Sequence, residues 1–400
     1  MANSFSNNVK VKLVAGAIAD AMDYTKASVS KMPQSEFKNK KYGKSYKVYI
    51  PGTAKVVDGI VADPSDIVEV ETEIQLTNKN VSVELNAWNE LGDIENFRDQ
   101  IAKPLGNQLA RAEEKAIVRD NVFKSAQAVV ASSASFGVLS KASAALRNLA
   151  VGGEIVSFQN PDVMATIATS GLANFIPSEI QKGIYGDSYL GQYSGAAQVE
   201  TPDLPTITIG SAPTGTTNSS LVAIQDADNN TIGYEPVTTI TGTNLVVGAA
   251  FKVTGLKVVD TSGIETDQDF IAIVTSVNAA GTSGTINPIR ITVSGKGCNN
   301  PNAWVAASTT TLVYTSLLSA STTYYVGQVR TKDCFAFDAY KFENLPGSEN
   351  EEVGVVGGHS VKMSMYGDGI NLQKLIRLDA PFAAGLFEPR GSVTVYIAKS

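Results

Sequence analysis

The sequence predicts an α+β chain, and three observations carry that prediction. A long helical periodicity covers 93–131, apolar residues alternate at period two through 45–85, and 201–330 strings together short strand-like runs with almost no charge. In the helical stretch Phe97, Ile101, Leu105, Leu109, Ala112 and Ala116 recur at three- and four-residue steps, and Val118, Val122, Ala126 and Val129 continue the stripe. Asp93 is placed to cap its start. Pro104 should kink the helix or mark its true start. At about 1.5 Å per residue the helix would span roughly 50–60 Å, a beam that crosses the molecule. The i,i+4 pairs Asp99–Lys103 and Asp120–Lys124 suit its solvated face, and Glu113-Glu114 are expected there too.

Ahead of the beam, Val11, Val14, Ala17, Ile18, Ala21 and Met22 draw an apolar face on a short helix that Pro33 closes. Such a helix has no core of its own and must dock elsewhere. The patch KNKKYGKSYK (38–47) reads as a solvated strand edge guarded by lysine, with contact to nucleic acid or an acidic partner as the alternative. From Tyr46 to Leu85 the alternation predicts a long two-stranded excursion, with turns at Pro51-Gly52, Asp58-Gly59, Asp63-Pro64 and Asn78-Lys79-Asn80. Two strands alone are marginal in water, so this hairpin needs a further surface to lie on.

Beyond the beam, an Ala-rich helix is predicted over Lys141–Ala150, ended by Gly152-Gly153. EIVSF (154–158) is a buried strand, and Asn160-Pro161-Asp162 opens another helix with proline at its first position. Residues 175–193 are irregular. TITI (206–209), LVAIQ (221–225), FKVTGLKVV (251–259), FIAIVTSV (270–277) and IRITV (289–293) then predict a small inserted barrel or sandwich, with hairpin turns at Asn229-Asn230 and Asn278–Thr282. The end returns to a mixed pattern: strands at CFAFDAYKF (334–342), VKMSMY (361–366), KLIRLDAPFAAGLF (374–387) and SVTVYIA (392–398), and a Gly- and Glu-rich loop at 351–358.

Composition limits the function. A chain of 400 residues with 43% hydrophobic content has enough apolar material for two or three domains. Charged residues make up only 18%, against about 25% in ordinary soluble domains, which suits a β-rich chain burying surface against neighbours. The net charge of −7 argues against a general nucleic-acid-binding surface. No signal-peptide pattern and no 18-residue apolar run is present, so the expected origin is cytoplasmic. Cys298 and Cys334 are expected as buried reduced thiols, a bridge between them being the alternative.

Catalytic chemistry finds no foothold. His359, the one histidine, follows a Gly-Gly turn and is expected at the surface, with no local nucleophile or orienting carboxylate. DADNN (226–230) fails as a calcium loop, because Thr231 stands where glycine is needed and Val237 where a bidentate glutamate is needed. Gly354, Gly357 and Gly358 match no dinucleotide fingerprint. No catalytic, cofactor-binding or metal-binding residue, and no cofactor, is therefore expected.

The order of parts resembles the major capsid (coat) proteins of tailed bacteriophages, whose shell subunit has the Johnson fold. It is most similar to short-tailed phage coat proteins carrying an inserted β-barrel domain. The resemblance rests on FQNPD (158–162), FIPSEIQKGIYG (175–186), TPDLPTITIGSAPTGTT (201–217), LVAIQDADNNTIG (221–233) and the C-terminal LIRLDAPFAAGLFEPRGSVTVYIA. It departs at Phe382-Ala383, where such proteins carry glycine after the aromatic. The resemblance implies an N-terminal arm (1–44) that faces inward and binds a scaffolding protein. An extended loop (45–92) would overlap the neighbouring subunit. A peripheral domain (93–200) would be built on the spine helix 93–131, and an axial domain would comprise 201–222 and 301–400. The inserted β-barrel (223–300) would aid folding and contact between capsomers. Further implied are hexamers and pentamers in an icosahedral shell, portal and decoration partners, weak inner-face contact with packaged DNA, no membrane partner, and a place in the virion after synthesis in the host cytoplasm. The expected function is a non-enzymatic, self-assembling shell subunit. A β-rich fibre, adhesin or surface-binding protein is the alternative.

Overall fold

The computed structural model describes residues 7–31, 45–50, 70–86, 102–169, 192–215, 221–225, 229, 231–287, 289–293, 304–309, 311–340, 351–368 and 373–399. In chain order its elements begin with α1 (Asn7–Ala21), β1 (Ser45–Ile50), β2 (Val70–Asn86), α2 (Lys103–Asn121), β3 (Gln127–Ala131), α3 (Phe136–Asn148), β4 (Ile155–Gln159) and α4 (Pro161–Thr169). Next come β5 (Gln192–Tyr193), β6 (Ala196–Glu200), β7 (Thr206–Ile209), β8 (Thr214–Gly215), β9 (Ala223–Gln225), β10 (Thr231–Tyr234) and β11 (Thr239–Thr243). They continue with β12 (Ala250–Val259), β13 (Glu265–Val277), β14 (Ser283–Ile286), β15 (Ile291–Val293), β16 (Val305–Ala307) and β17 (Val313–Ser316). The last are β18 (Thr322–Thr331), β19 (Phe335–Ala339), β20 (Glu351–Val356), β21 (His359–Asp368), β22 (Gln373–Leu386) and β23 (Ser392–Ala398). Internal contacts divide the chain into two units. One holds Met1–Val48, Glu73–Ile117 and Ala336–Gly385; the other holds Tyr49–Thr72, Val118–Phe335 and Leu386–Ser400.

The second unit contains a seven-stranded sheet of order β3-β23-β18-β4-β6-β5, with β7 also on β18. β3 runs parallel to β23, and β18 is antiparallel to both β23 and β4, so β3 and β4 are parallel and α3 is their crossover. Leu139, Ala142 and Leu146 of α3 and Met164 and Ile167 of α4 pack on Val329, Val393 and Val395 of the sheet. α4 starts where Asn160-Pro161 predicts: the Asn160 Oδ1 accepts from the Asp162 N–H at 3.0 Å. The inserted strands form a ten-stranded sheet of order β8-β11-β14-β13-β12-β16-β15-β10-β9, with β17 on β12. Its core gathers Phe251, Val253, Leu256, Phe270, Val274 and Leu312. The insertion leaves after β7 and returns before β18, and these two strands pair from Thr206↔Tyr325 to Ile209↔Thr322. The two hairpins expected in it sit where Asn and Gly place them. Asn229 has φ 60° and Gly281 φ 66°, and the Asn278 Oδ1 accepts from the Thr282 N–H at 2.9 Å.

The first unit is built on a six-stranded sheet, β1-β2-β22-β21-β20, with β19 on β22. β2 finds the surface a thin hairpin needs on β22, in a ladder running from Leu76↔Ala383 to Asn86↔Gln373. β20 and β21 close through Gly357-Gly358, with φ 58° and 83°, so both central residues take the left-handed conformation a two-residue turn demands. α1 lays Val11, Val14, Ile18 and Met22 inward, all at most 2% exposed, each contributing roughly 1.5–3 kcal/mol of burial.

Three expectations change. The helix does not run to 131: α2 ends at Asn121, and 127–131 is β3. The β-branched pair Val129-Val130 is recruited into a parallel ladder with β23, while the Asn121 Oδ1 accepts the Leu386 N–H at 3.0 Å. Tertiary pairing overrides helical periodicity there. Pro104 lies in the first turn of α2, where its missing N–H costs nothing. Asn78-Lys79-Asn80 is not a turn but mid-strand, opposite Pro381, Ala380 and Asp379, with the Asn78 Nδ2 donating to the Asp379 Oδ1 at 2.9 Å. The stretch 351–358 is β20 and its turn, not a loop. Asp93, Phe97, Asp99, Ile101, Cys298, residues 38–44 and residues 175–191 lie outside the described residues.

Candidate functional site

A dense polar construction in the first unit lies where the chain leaves α1. Residues 24–31 run beside β19, with a parallel bridge Val29↔Ala336 and the Phe337 N–H donating to the Val29 carbonyl at 3.1 Å. Asp338 is the clasp. Its Oδ1 accepts from the Ser30 hydroxyl at 2.5 Å, and its Oδ2 accepts from the Lys31 N–H at 3.0 Å and the Tyr46 hydroxyl at 2.8 Å. Burial, reinforced by the Asp338 charge, pushes the Tyr46 phenol far above its ordinary value, so it stays a donor. At the other end of the segment, the Tyr24 N–H donates to the Glu114 Oε1 at 2.7 Å.

Glu114 and its neighbour Glu113 are not on a solvated face. They are 3% and 2% exposed. The buried stripe of α2 runs through Gly106, Leu109, Ala110, Glu113, Glu114 and Ile117, while Ala112, expected in the core, is exposed. The stripe is rotated about one position from the expected one because α1 crosses at Gly106, where an added Cβ would lie 2.7 Å from the Ala17 Cβ. The 3.6-residue spacing of Gly106, Ala110, Glu113-Glu114 and Ile117 was the signal available in the sequence. Glu113 carries an Oε1 with no hydrogen-bond partner, and burial drives its carboxyl pKa well above the ordinary range against an opposing pull from Lys79. A raised folded pKa stabilises below the ordinary value, and that contribution is lost as pH rises. Glu113→Gln should therefore match or exceed the parent stability at pH 7. Its advantage should widen as pH is raised above the ordinary carboxylate range in urea unfolding, and a variant that loses ground as pH rises would contradict this.

His359 is also buried, at 6% exposed, not at the surface as expected. The two-glycine turn folds its ring inward, 4.9 Å from the Phe337 ring. Desolvation, with help from the Lys26 charge, brings its pKa down to about 4, so it is neutral at pH 7. Together with Thr25, Lys26, Asp338, Val355 and others it lines a cavity of about 390 Å³. No nucleophile is held against the imidazole by any hydrogen bond between described residues, and among them no three His, Cys, Asp or Glu side chains gather as metal ligands. In the second unit Cys334 is a buried free thiol whose Sγ donates to the Thr331 carbonyl at 3.0 Å, and burial lifts its pKa to about 11. That leaves it unreactive at neutral pH. Large apolar side chains stand exposed there, Tyr49 (53%), Val222 (57%) and Ile264 (56%) among them. No helix of the described residues is long and apolar enough to cross a membrane.

No protein-family model and no curated protein matches this chain. Solved structures do, across almost its full length. A solved structure from Mycobacterium phage Che8 matches with a TM-score of 0.46 and 11% identity, over 94% of this chain and 90% of that one. The capsid of Ralstonia phage GP4 matches at 0.47 and 8%, over 90% and 85%. The capsid structure of cyanophage P-SCSP1u matches at 0.44 and 11%, over 93% and 86%. This chain is similar to these proteins as a distant likeness.

Proposed function

We propose that the chain is a structural shell subunit of the tailed-phage major capsid kind, which self-assembles into a closed icosahedral particle and performs no catalysis. The observation that carries this reading is the interleaved connectivity. An arm helix, a long two-stranded segment and a spine helix precede a mixed α/β sheet. That sheet is interrupted between paired strands β7 and β18 by a separate ten-stranded insertion. This connectivity supports the reading that the sequence resemblance implies. Low charge and exposed apolar side chains such as Val222 and Ile264 supply surface for neighbouring copies to bury.

In this reading 1–44 is the arm that meets a scaffolding protein and 45–92 overlaps the neighbouring subunit. Residues 93–200 form the peripheral domain, 201–222 and 301–400 contribute the axial domain, and the insertion between capsomers is centred on 223–300, its sheet reaching out to β8 and β17. Portal, decoration protein and packaged DNA are the further partners, hexamers and pentamers the assembly units, and the virion shell the location. Negative-stain microscopy of the purified protein, alone and with a co-expressed scaffold, should show closed particles. A protein that stays monomeric in every salt and scaffold condition would refute the proposal.

A further inference from the structure

We propose that residues 24–31 form an acid-released latch, sensed by His359, that frees this segment from β19 while α1 stays docked. Two carboxylates hold the segment: Glu114 takes the Tyr24 N–H, and Asp338 takes the Ser30 hydroxyl and the Lys31 N–H. The cavity beneath it is lined by the Thr25, Lys26 and Ser28 side chains of the segment itself, facing His359, Phe337 and Asp338. The Thr25 Oγ1, in a residue only 4% exposed, has no hydrogen-bond partner there. An open cavity beside an unsatisfied hydroxyl is a cheap route for water once the segment lifts.

The charges around His359 decide the direction. Lys26, ion-paired with Asp23 at 2.7 Å, comes from the segment, and Asp338 comes from β19; both Lys26 and Asp338 line the cavity with His359. A second positive charge placed on His359 meets the field of Lys26, which lines the same cavity. The Asp338 oxygens that could answer it already serve Ser30, Lys31 and Tyr46. Protonation of His359 places a charge in a buried site beside Lys26, and lifting the segment relieves it by admitting water to the cavity and carrying Lys26 away. The folded pKa of about 4 lies below the ordinary 6.5, so the neutral form supports the closed latch above pH 6.5. That support is lost progressively as pH falls from 6.5 through 4. α1 has its own apolar anchor in Val11, Val14, Ile18 and Met22, which carries no titrating group.

The latch does not depend on the shell reading and is testable on the unassembled chain. Amide exchange, corrected for intrinsic pH dependence, should lose protection at 24–31 and 336–340 between pH 7 and 4. The expected loss is up to on the order of a hundredfold, while peptides from 9–22 change less than threefold. In His359→Gln, neutral at every pH, protection at 24–31 should stay within threefold. Lys26→Met, at an exposed position, should fold normally and shrink the loss. Unchanged protection in the parent protein at pH 4, or equal losses in the parent and both variants, would overturn the proposal. So would release of 9–22 together with 24–31.

Discussion

Replacing Arg390 with methionine should destabilise the second unit by about 3–5 kcal/mol, because it strands a buried carboxylate. The Arg390 guanidinium is 6% exposed and grips Glu388 through two bonds, Nε to Oε1 at 2.8 Å and Nη2 to Oε2 at 3.0 Å. Its Nη1 reaches across to the Asp260 carbonyl at 2.7 Å, at the β12–β13 turn of the insertion. Near it the Thr261 N–H donates to the Leu149 carbonyl at 3.2 Å, so this corner ties the inserted sheet to the end of α3. A melting-temperature drop of roughly 10 °C is expected by calorimetry. Changing Glu388→Leu in the same chain should recover more than half of it, since removing both partners strands no charge and leaves only the Asp260 carbonyl without its donor. A single variant that melts with the parent would show that the pair is not desolvated as its geometry requires.

Asn287→Leu should cost about 3 kcal/mol or more. Asn287 is fully buried, and its amide serves three backbone groups. Its Oδ1 accepts from the Ile273 N–H at 2.9 Å, and its Nδ2 donates to the Ser125 carbonyl at 2.6 Å and the Ile271 carbonyl at 3.2 Å. Each buried group left unpaired costs about 1–3 kcal/mol. Leucine, nearly isosteric, should be worse than alanine, which leaves room for a bridging water. Urea unfolding of the two variants measures the order, and alanine proving the more damaging would contradict it.

Both sites lie where the inserted sheet meets the host sheet, and neither announced itself in the sequence. An asparagine in a Thr- and Asn-rich β region reads as turn chemistry, and an arginine before glycine near a C-terminus reads as surface. Only the return of the chain places Ser125 beside Asn287 and Asp260 beside Arg390. The same limit explains Glu113, Glu114 and His359. Charge and titratability argue for solvent, and what buries them is α1 and β19, contributed from sites about ninety and twenty residues away in the chain.

What the sequence determined by itself was local. Backbone chemistry marked the α4 start at Asn160-Pro161 and the hairpins at Asn229 and Asn278–Thr282. Period-two alternation marked β7, β12 and β13, and the loss of charge after residue 201 marked the insertion. These signals live within a few residues, where steric preference and hydrogen-bond reach operate. Tertiary structure alone decided that the periodic stretch after Asn121 becomes strand, that Asn78-Lys79-Asn80 runs straight through β2, and that two glutamates turn inward on α2. In each case a ladder or a crossing helix, supplied by residues far along the chain, outweighed a local propensity worth well under about 1 kcal/mol per residue. The free energy that settles those elements resides in pairings that no local window contains.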